Sequence, residues 1–159
     1  MQLLTLIALL PLLGFLLNGL AGRRLGNGFV SAVGCGLPIL AFLVTLKCVA
    51  DLVAGGYAPL TETAYTWATI GGRTFEVSFY FDRLTAVMAL IVTGVGSLIH
   101  VYSTGYMKED PGYARFFAYL NLFLFFMLLL VLGRSLLILF VGWEIGRAHV
   151  LNSSHSSVS

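Results

Sequence analysis

Charge is scarce in this chain. Asp, Glu, Lys and Arg make up 10% of its 159 residues and hydrophobic residues 58%, whereas a soluble domain carries about 25% charged residues. So little polar surface cannot cover a water-soluble globule, and the composition is that of a polytopic membrane protein. The net charge is only +2 and the basic residues are scattered rather than clustered, too little to argue for a nucleic-acid partner. Cysteine is equally sparse. Cys35 and Cys48 lie thirteen residues apart in one apolar segment, about 20 Å along a helix and beyond disulfide reach. Neither sits in a C-x-x-C pair; both read as small buried apolar residues. No phosphate loop and no cluster of metal-ligand types is present. Gly26-Asn27-Gly28 begins like a dinucleotide motif, but Ser31 stands in place of the third glycine and no strand precedes it. The first apolar stretch lacks a basic leader, since Arg23-Arg24 follow it, so it reads as a retained membrane helix.

What is there is a series of long apolar segments. The first covers residues 3–20, with Pro11 inside it as an expected bend and Asn18 near its end. A polar turn at 22–27 leads to a second segment at 29–53, long enough to span with some tilt. Lys47 and Asp51 are four apart near its far end and read as a snorkelling pair. Residues 55–81 form the long polar connection. Within it, 64–70 and 73–79 are rich in aromatic and β-branched residues and flank Gly71-Gly72, which predicts a β-hairpin. Its aromatics are expected to lie along the membrane surface.

A third segment covers 84–102, with Asp82 as N-cap. Gly94, Gly96 and Ser97 suit close helix–helix approach. His100 lies near its far end, with Tyr102 and Tyr106 as interfacial anchors. Segment four runs over 113–132 and carries Asn121, expected to bond across helices. After Gly133-Arg134-Ser135 a fifth apolar run starts and is cut short after Glu144. The predicted fold is therefore an all-α polytopic membrane protein with four complete transmembrane helices, a truncated fifth and an extramembrane β-hairpin. One membrane side carries Arg23, Arg24, Lys108 and Arg115, the other Lys47, Arg73, Arg83 and Arg134. The Arg pair in the shorter loops favours the cytoplasm for the first group, which puts the N-terminus and the hairpin outside.

Glu144 is the foremost candidate for function. It stands at the end of the apolar run that starts at Leu136, about 12–15 Å into a bilayer core about 30 Å thick. A carboxylate at that depth is costly and marks proton or ion movement. Desolvation raises a carboxylate's pKa and a nearby lysine lowers it, so a site balanced between the two can load and release a proton. His100 is a second candidate, as a proton relay near one face or as a ring bonded to a backbone carbonyl. After Glu144 apolar character stops in mid-membrane, where a helix cannot end with its carbonyls facing lipid. Residues 145–159 resemble the translation of a sequencing-library adapter, so they are read as an artefact tail outside the fold, His149 and His155 included. The organisation expected is 1–54 as two transmembrane helices, 55–81 as the hairpin loop, 82–144 as the start of a further membrane domain, and 145–159 as the tail.

Three runs carry a resemblance: Phe81-Asp82-Arg83-Leu84-Thr85-Ala86-Val87-Met88 with the stretch from Val92 to Met107; Arg115-Phe116-Phe117-Ala118-Tyr119-Leu120-Asn121-Leu122-Phe123; and Gly142-Trp143-Glu144. Together they resemble the antiporter-like chain L (chain 5) family of respiratory complex I, the proton-pumping NADH:quinone oxidoreductase. The match is specific over 75–144, and the chain looks like an N-terminal fragment.

The resemblance implies a subunit built from inverted five-helix repeats, each with a broken helix. The glutamate of its fifth helix matches Glu144, and the partner lysines come later, outside this sequence. Where the family continues with Gly-Val-Gly, this chain has Ile145-Gly146-Arg147. The resemblance also implies proton translocation driven by electron transfer from NADH to quinone. NADH, quinone, FMN and iron–sulfur clusters are held by partner subunits, and no cofactor is bound directly. The implied partners are the other membrane subunits of complex I, the lipid bilayer and protons, in the bacterial cytoplasmic membrane. Related alternatives are a subunit of a multisubunit sodium/proton antiporter or of a membrane-bound hydrogenase. An alternative of another class is an inert truncated membrane fragment.

Overall fold

A computed structural model describes residues 2–70, 73–135, 139, 140, 143 and 144. The elements are α1 (Leu3–Ala54), β1 (Leu60–Ile70), β2 (Arg73–Phe81), α2 (Arg83–Tyr106) and α3 (Tyr113–Leu132). The chain is mostly helical, with three helices long and apolar enough to cross a membrane and one small two-stranded sheet.

Here the structure departs from the expected four complete helices and a truncated fifth. Residues 3–54 form one assigned helix because the polar turn expected at 22–27 contracts to a single non-helical residue, Gly26, at φ 82° and ψ 171°. Only glycine reaches that region without steric penalty. Hydrogen bonding stays helical on both sides, but the two arms, 3–25 and 27–54, fold back on each other. A Cβ at Gly22 would lie 2.9 Å from Val30 Cγ2, and one at Gly34 would lie 3.1 Å from Asn18 Nδ2. A straight α1 would be about 78 Å long, more than twice a bilayer core; the fold-back resolves that mismatch. The break falls at Gly26, while Pro11 and Pro38 keep helical dihedrals. Of the expected fifth segment, residues 139–140 and 143–144 are helical and the rest lies outside the described residues, as do Met1 and the tail at 145–159.

The hairpin forms as expected. β1 and β2 pair antiparallel from Leu60 opposite Phe81 to Ile70 opposite Arg73, with irregularities between Thr63 and Tyr65 and between Thr66 and Ala68. The last pair leaves two residues for the turn, Gly71 and Gly72, which lie outside the described residues. One expectation for its aromatics changes. Phe79 is buried, 3% exposed, rather than lying on the membrane surface, and Phe81, beyond the strand expected at 73–79, is 0% exposed. They pack with Leu4 and Ile7 of the first arm, Cys48 and Leu52 of the second, Ala86 and Ala89 of α2, and Leu128 and Leu132 of α3. That cluster is the main core, and it gathers both ends of α1, the start of α2 and the end of α3 beside the hairpin. A smaller cluster of Val30, Tyr113 and Phe117 sits at the opposite end, near Gly26. This arrangement separates the two sets of basic residues as the sequence predicts.

Hydrogen bonds on both edges tie the hairpin to the helices. The Glu62 carboxylate accepts from the backbone N–H of Leu4 (3.0 Å) and of Thr5 (2.9 Å), and from the Thr5 hydroxyl. It fills the role that the N-cap residue Gln2 does not, since Gln2 makes no side-chain cap bond. On the other edge, Arg134 N–H donates to Ser78 C=O at 3.0 Å, and Gly133 bridges to Phe79. At the start of α2, Asp82 caps the helix by accepting from Thr85 N–H at 2.8 Å, as predicted. That bond holds the Asp82 carboxyl below its ordinary pKa. Between α1 and the hairpin, Tyr57 adopts a left-handed φ of 66°, uncommon for a bulky residue. Its ring lies under the Arg83 guanidinium, 4.2 Å from ring centre to the charged carbon, and its N–H donates to Leu52 C=O at 2.8 Å. Both contacts hold the strained turn.

Candidate functional site

Helix packing buries a short series of polar groups. Most satisfy themselves within their own helix. The hydroxyls of Thr45, Thr93, Ser97 and Ser103 each donate to the carbonyl four residues back, at 2.6–2.8 Å. Such a bond absorbs the hydroxyl's one hydrogen. Three residues keep open capacity among the described residues: Asn18, His100 and Asn121. All three are buried, at 1%, 1% and 0% exposure.

Asn18 and Asn121 meet at Gly34, where the two arms of α1 cross α3. Asn121 Nδ2 donates to Phe117 C=O at 2.9 Å and to Gly34 C=O at 3.4 Å, the cross-helix bond expected of it, and its Oδ1 has no partner. Neither polar atom of Asn18 has one. The absence of a side chain at Gly34 permits the crossing, since a Cβ there would lie 2.6 Å from Phe117 Cδ1. Phe117 in turn separates this junction from His100, with ring centroids 6.3 Å apart. At the nearby helix end the Ser31 hydroxyl donates to Asn27 C=O (2.8 Å), so the Tyr113 hydroxyl donates to Ser31 Oγ (2.6 Å).

His100 Nδ1 lies 2.7 Å from the Gly96 carbonyl. A carbonyl only accepts, so Nδ1 carries the ring proton and Nε2 of the neutral imidazole is a bare acceptor. That atom has no partner among the described residues. The imidazole borders a groove of about 200 Å³ between α2 and α3, otherwise walled by apolar side chains such as Val95, Ile99, Leu120 and Leu124. The backbone bond is the one the second sequence reading expects, and Nε2 stays a buried acceptor without a partner among the described residues. Gly94 and Gly96 allow the close approach expected of them: a Cβ at Gly94 would lie 3.2 Å from Phe42, and one at Gly96 2.8 Å from Leu124.

Glu144, the other sequence candidate, is helical and exposed in this chain. Lys47 and Asp51 form an exposed i,i+4 ion pair at 2.8 Å, as expected. Cys35 and Cys48 are free thiols. Among the described residues, no three His, Cys, Asp or Glu side chains cluster to hold a metal ion.

Comparison with known proteins bears on what this polar junction belongs to. Residues 67–117, which carry β2, Asp82, His100 and Phe117, match the family model described as NADH-ubiquinone oxidoreductase (complex I), chain 5 N-terminus. NADH-quinone oxidoreductase subunit L of Neisseria meningitidis serogroup B is 39% identical over 145 residues, 91% of this chain and 22% of that protein. Subunit L of Escherichia coli K12 is 40% identical over 144 residues, 91% of this chain and 24% of that protein. The similarity is to the N-terminus of chain 5 in the family model and to these subunit L proteins. NADH-ubiquinone oxidoreductase chain 5 of Allomyces macrogynus is 41% identical over 139 residues, 87% of this chain and 22% of that protein. The chain spans less than a quarter of the length of these chain 5 relatives. Among the described residues, three helices are long and apolar enough to cross a membrane.

Three features of the site escaped sequence reasoning. The Glu62 cap joins residues 57 apart, beyond any local motif. Asn18 looked like an end-of-helix residue, and only the fold-back at Gly26 buries it. The open Nε2 of His100 depends on Gly96 taking Nδ1; a histidine four residues after a helical glycine was the available signal.

Proposed function

We propose that this chain is the N-terminal part of a membrane subunit of NADH–quinone oxidoreductase and takes part in coupling NADH-to-quinone electron transfer to proton translocation. The observation that carries this reading is about 40% identity to subunit L across 91% of the chain. In this reading each arm of α1 crosses the membrane, α2 and α3 add two crossings, and a fifth begins after Ser135 and carries Glu144. Residues 1–54 supply the first pair of helices, 55–81 the hairpin, and 82–144 the start of the proton-conducting part. NADH, FMN, iron–sulfur clusters and quinone belong to partner subunits, and the redox energy arrives through them.

The proton chemistry falls to two side chains. Glu144 loads a proton when its carboxylate is desolvated and releases it when a cationic partner from the rest of the subunit or water draws near. His100 accepts a proton at Nε2, becomes imidazolium while Nδ1 keeps its bond to Gly96, and gives the proton back. The test is Glu144→Gln in the intact subunit within its complex, reading protons moved per NADH oxidised in sealed vesicles. Coupled pumping is expected to fall while electron transfer remains possible. An unchanged proton ratio removes Glu144 from the mechanism.

A further inference from the structure

The first arm of α1 and the start of α3 enclose a groove of about 370 Å³ on the side of the molecule away from the hairpin. The two helices touch at Gly22 and Ala114, where a Cβ on Gly22 would lie 3.1 Å from Ala114 Cβ. The next residue on each wall is an arginine. Arg23 and Arg115 both line the groove and both are exposed. Neither has an ion-pair partner among the described residues, where the ion pair is Lys47–Asp51. The nearby acid, Asp110, has its Oδ1 engaged by Gly112 N–H at 2.6 Å.

Deeper in, the lining turns apolar and small. Gly19 and Ala118 line it one turn in from the arginines, beside Tyr119, and Phe15 and Leu16 a turn further along the first arm; a Cβ at Gly19 would meet nothing within 4 Å. Leu16 and Leu20 are 44% and 81% exposed on this flank. The groove also reaches Asn18, whose two polar atoms are buried without partners. A groove with two guanidiniums that have no ion-pair partner among the described residues, and with an open, apolar inner half, matches one kind of molecule by charge and polarity. Guanidinium groups form forked bonds to phosphate oxygens, and basic residues at the membrane surface attract anionic headgroups.

We propose that this groove binds an anionic phospholipid of the surrounding bilayer. Its phosphate sits between Arg23 and Arg115, and one acyl chain runs inward past Gly19 toward Phe15. The proposal stands on the membrane-spanning fold and does not depend on Glu144 or His100 carrying protons.

The experiment uses the intact gene product in nanodiscs of equal phosphatidylglycerol and phosphatidylcholine, with retained lipid measured by native mass spectrometry. Retained phosphatidylglycerol is expected to exceed phosphatidylcholine by about five-fold or more. Arg23→Gln with Arg115→Gln should bring the ratio to about one, and Lys47→Gln, at the other end of the helices, should leave it unchanged. Gly19→Phe, which fills the inner half and keeps both arginines, should lower lipid retention without involving charge. A benzophenone side chain placed at Leu20 should give a lipid adduct. Equal recovery of the two lipids, selectivity that survives both the arginine pair and Gly19→Phe, or a polypeptide adduct at Leu20 would overturn the proposal.

Discussion

The Glu62 carboxylate and the Thr5 backbone N–H meet at 2.9 Å across 57 residues of chain. A strand of the hairpin thereby supplies the helix cap that the first residues of α1 do not supply for themselves. Removing it leaves two backbone donors, those of Leu4 and Thr5, without their acceptor beside the membrane. Glu62→Ala should lower unfolding stability by about 1 kcal/mol, with Glu62→Gln falling between it and the parent. Chemical unfolding in mild detergent, followed by circular dichroism, checks the order. Equal stability of the alanine variant and the parent would show that the cap contributes nothing.

Asp82 offers a cap with a pH signature. Its carboxyl is held below the ordinary value chiefly by the Thr85 N–H, so its contribution is fully present above the unfolded carboxyl pKa of about 4. The contribution fades as pH falls through the depressed native value, because protonation removes the charged acceptor. Asp82→Asn should keep most of the cap and lose this acid dependence, and Asp82→Ala should cost about 1 kcal/mol at neutral pH. Stability measured between pH 3 and pH 7 for the three proteins separates these outcomes.

Gly34 and Gly36 make a matched pair on the second arm of α1. A Cβ at Gly34 meets Phe117 at 2.6 Å and Asn18 at 3.1 Å, whereas one at Gly36 meets nothing within 4 Å. Phe117 is fully buried and cannot swing aside. Gly34→Ala should destabilise by about 1–3 kcal/mol, and Gly36→Ala should stabilise by up to about 1 kcal/mol through helix propensity alone. Melting temperatures of the two variants, shifted in opposite directions, are the expected result; a shift of the same sign in both would refute the crossing at Gly34.

Gly26 tests the fold-back itself. Its Cβ position is open, so any cost of Gly26→Ala comes from the positive φ and not from a clash. About 1–3 kcal/mol is expected. Gly28→Ala, likewise open but in helical backbone, should be neutral or mildly stabilising. Cysteine cross-linking between the arms near positions 22 and 30 provides the readout, and it should drop only in Gly26→Ala.

The sequence disclosed what is written in local patterns. The hairpin was legible because aromatic and β-branched runs flank Gly71-Gly72. The Asp82 cap was legible because an aspartate precedes an apolar periodic run and Thr85 follows at the right distance. α2 and α3 were legible from unbroken apolar length. What was lost depended on contacts between distant segments. The stretch 22–27 read as a six-residue turn, yet one glycine suffices, because a residue with positive φ lets helical hydrogen bonding resume at once. Phe79 read as a surface aromatic because strand alternation names two faces without saying which one the helices cover. For the site, Glu144 and His100 stood out as ionisable groups in apolar runs. The convergence of Asn18 and Asn121 on Gly34 did not, since it exists only once both arms of α1 lie against α3.

The hairpin has a mechanical corollary. It holds the beginning of α1 through Glu62 and the end of α3 through Gly133 and Arg134, with Phe79 and Phe81 wedged among all the helix ends on that side. That end of the bundle is a fulcrum. Any tilt of one helix against another is small there and grows with distance from it. Displacement is therefore greatest at the far end, around Gly26, Tyr113 and the His100–Phe117 contact, where a shift of one ring changes what His100 Nε2 can reach.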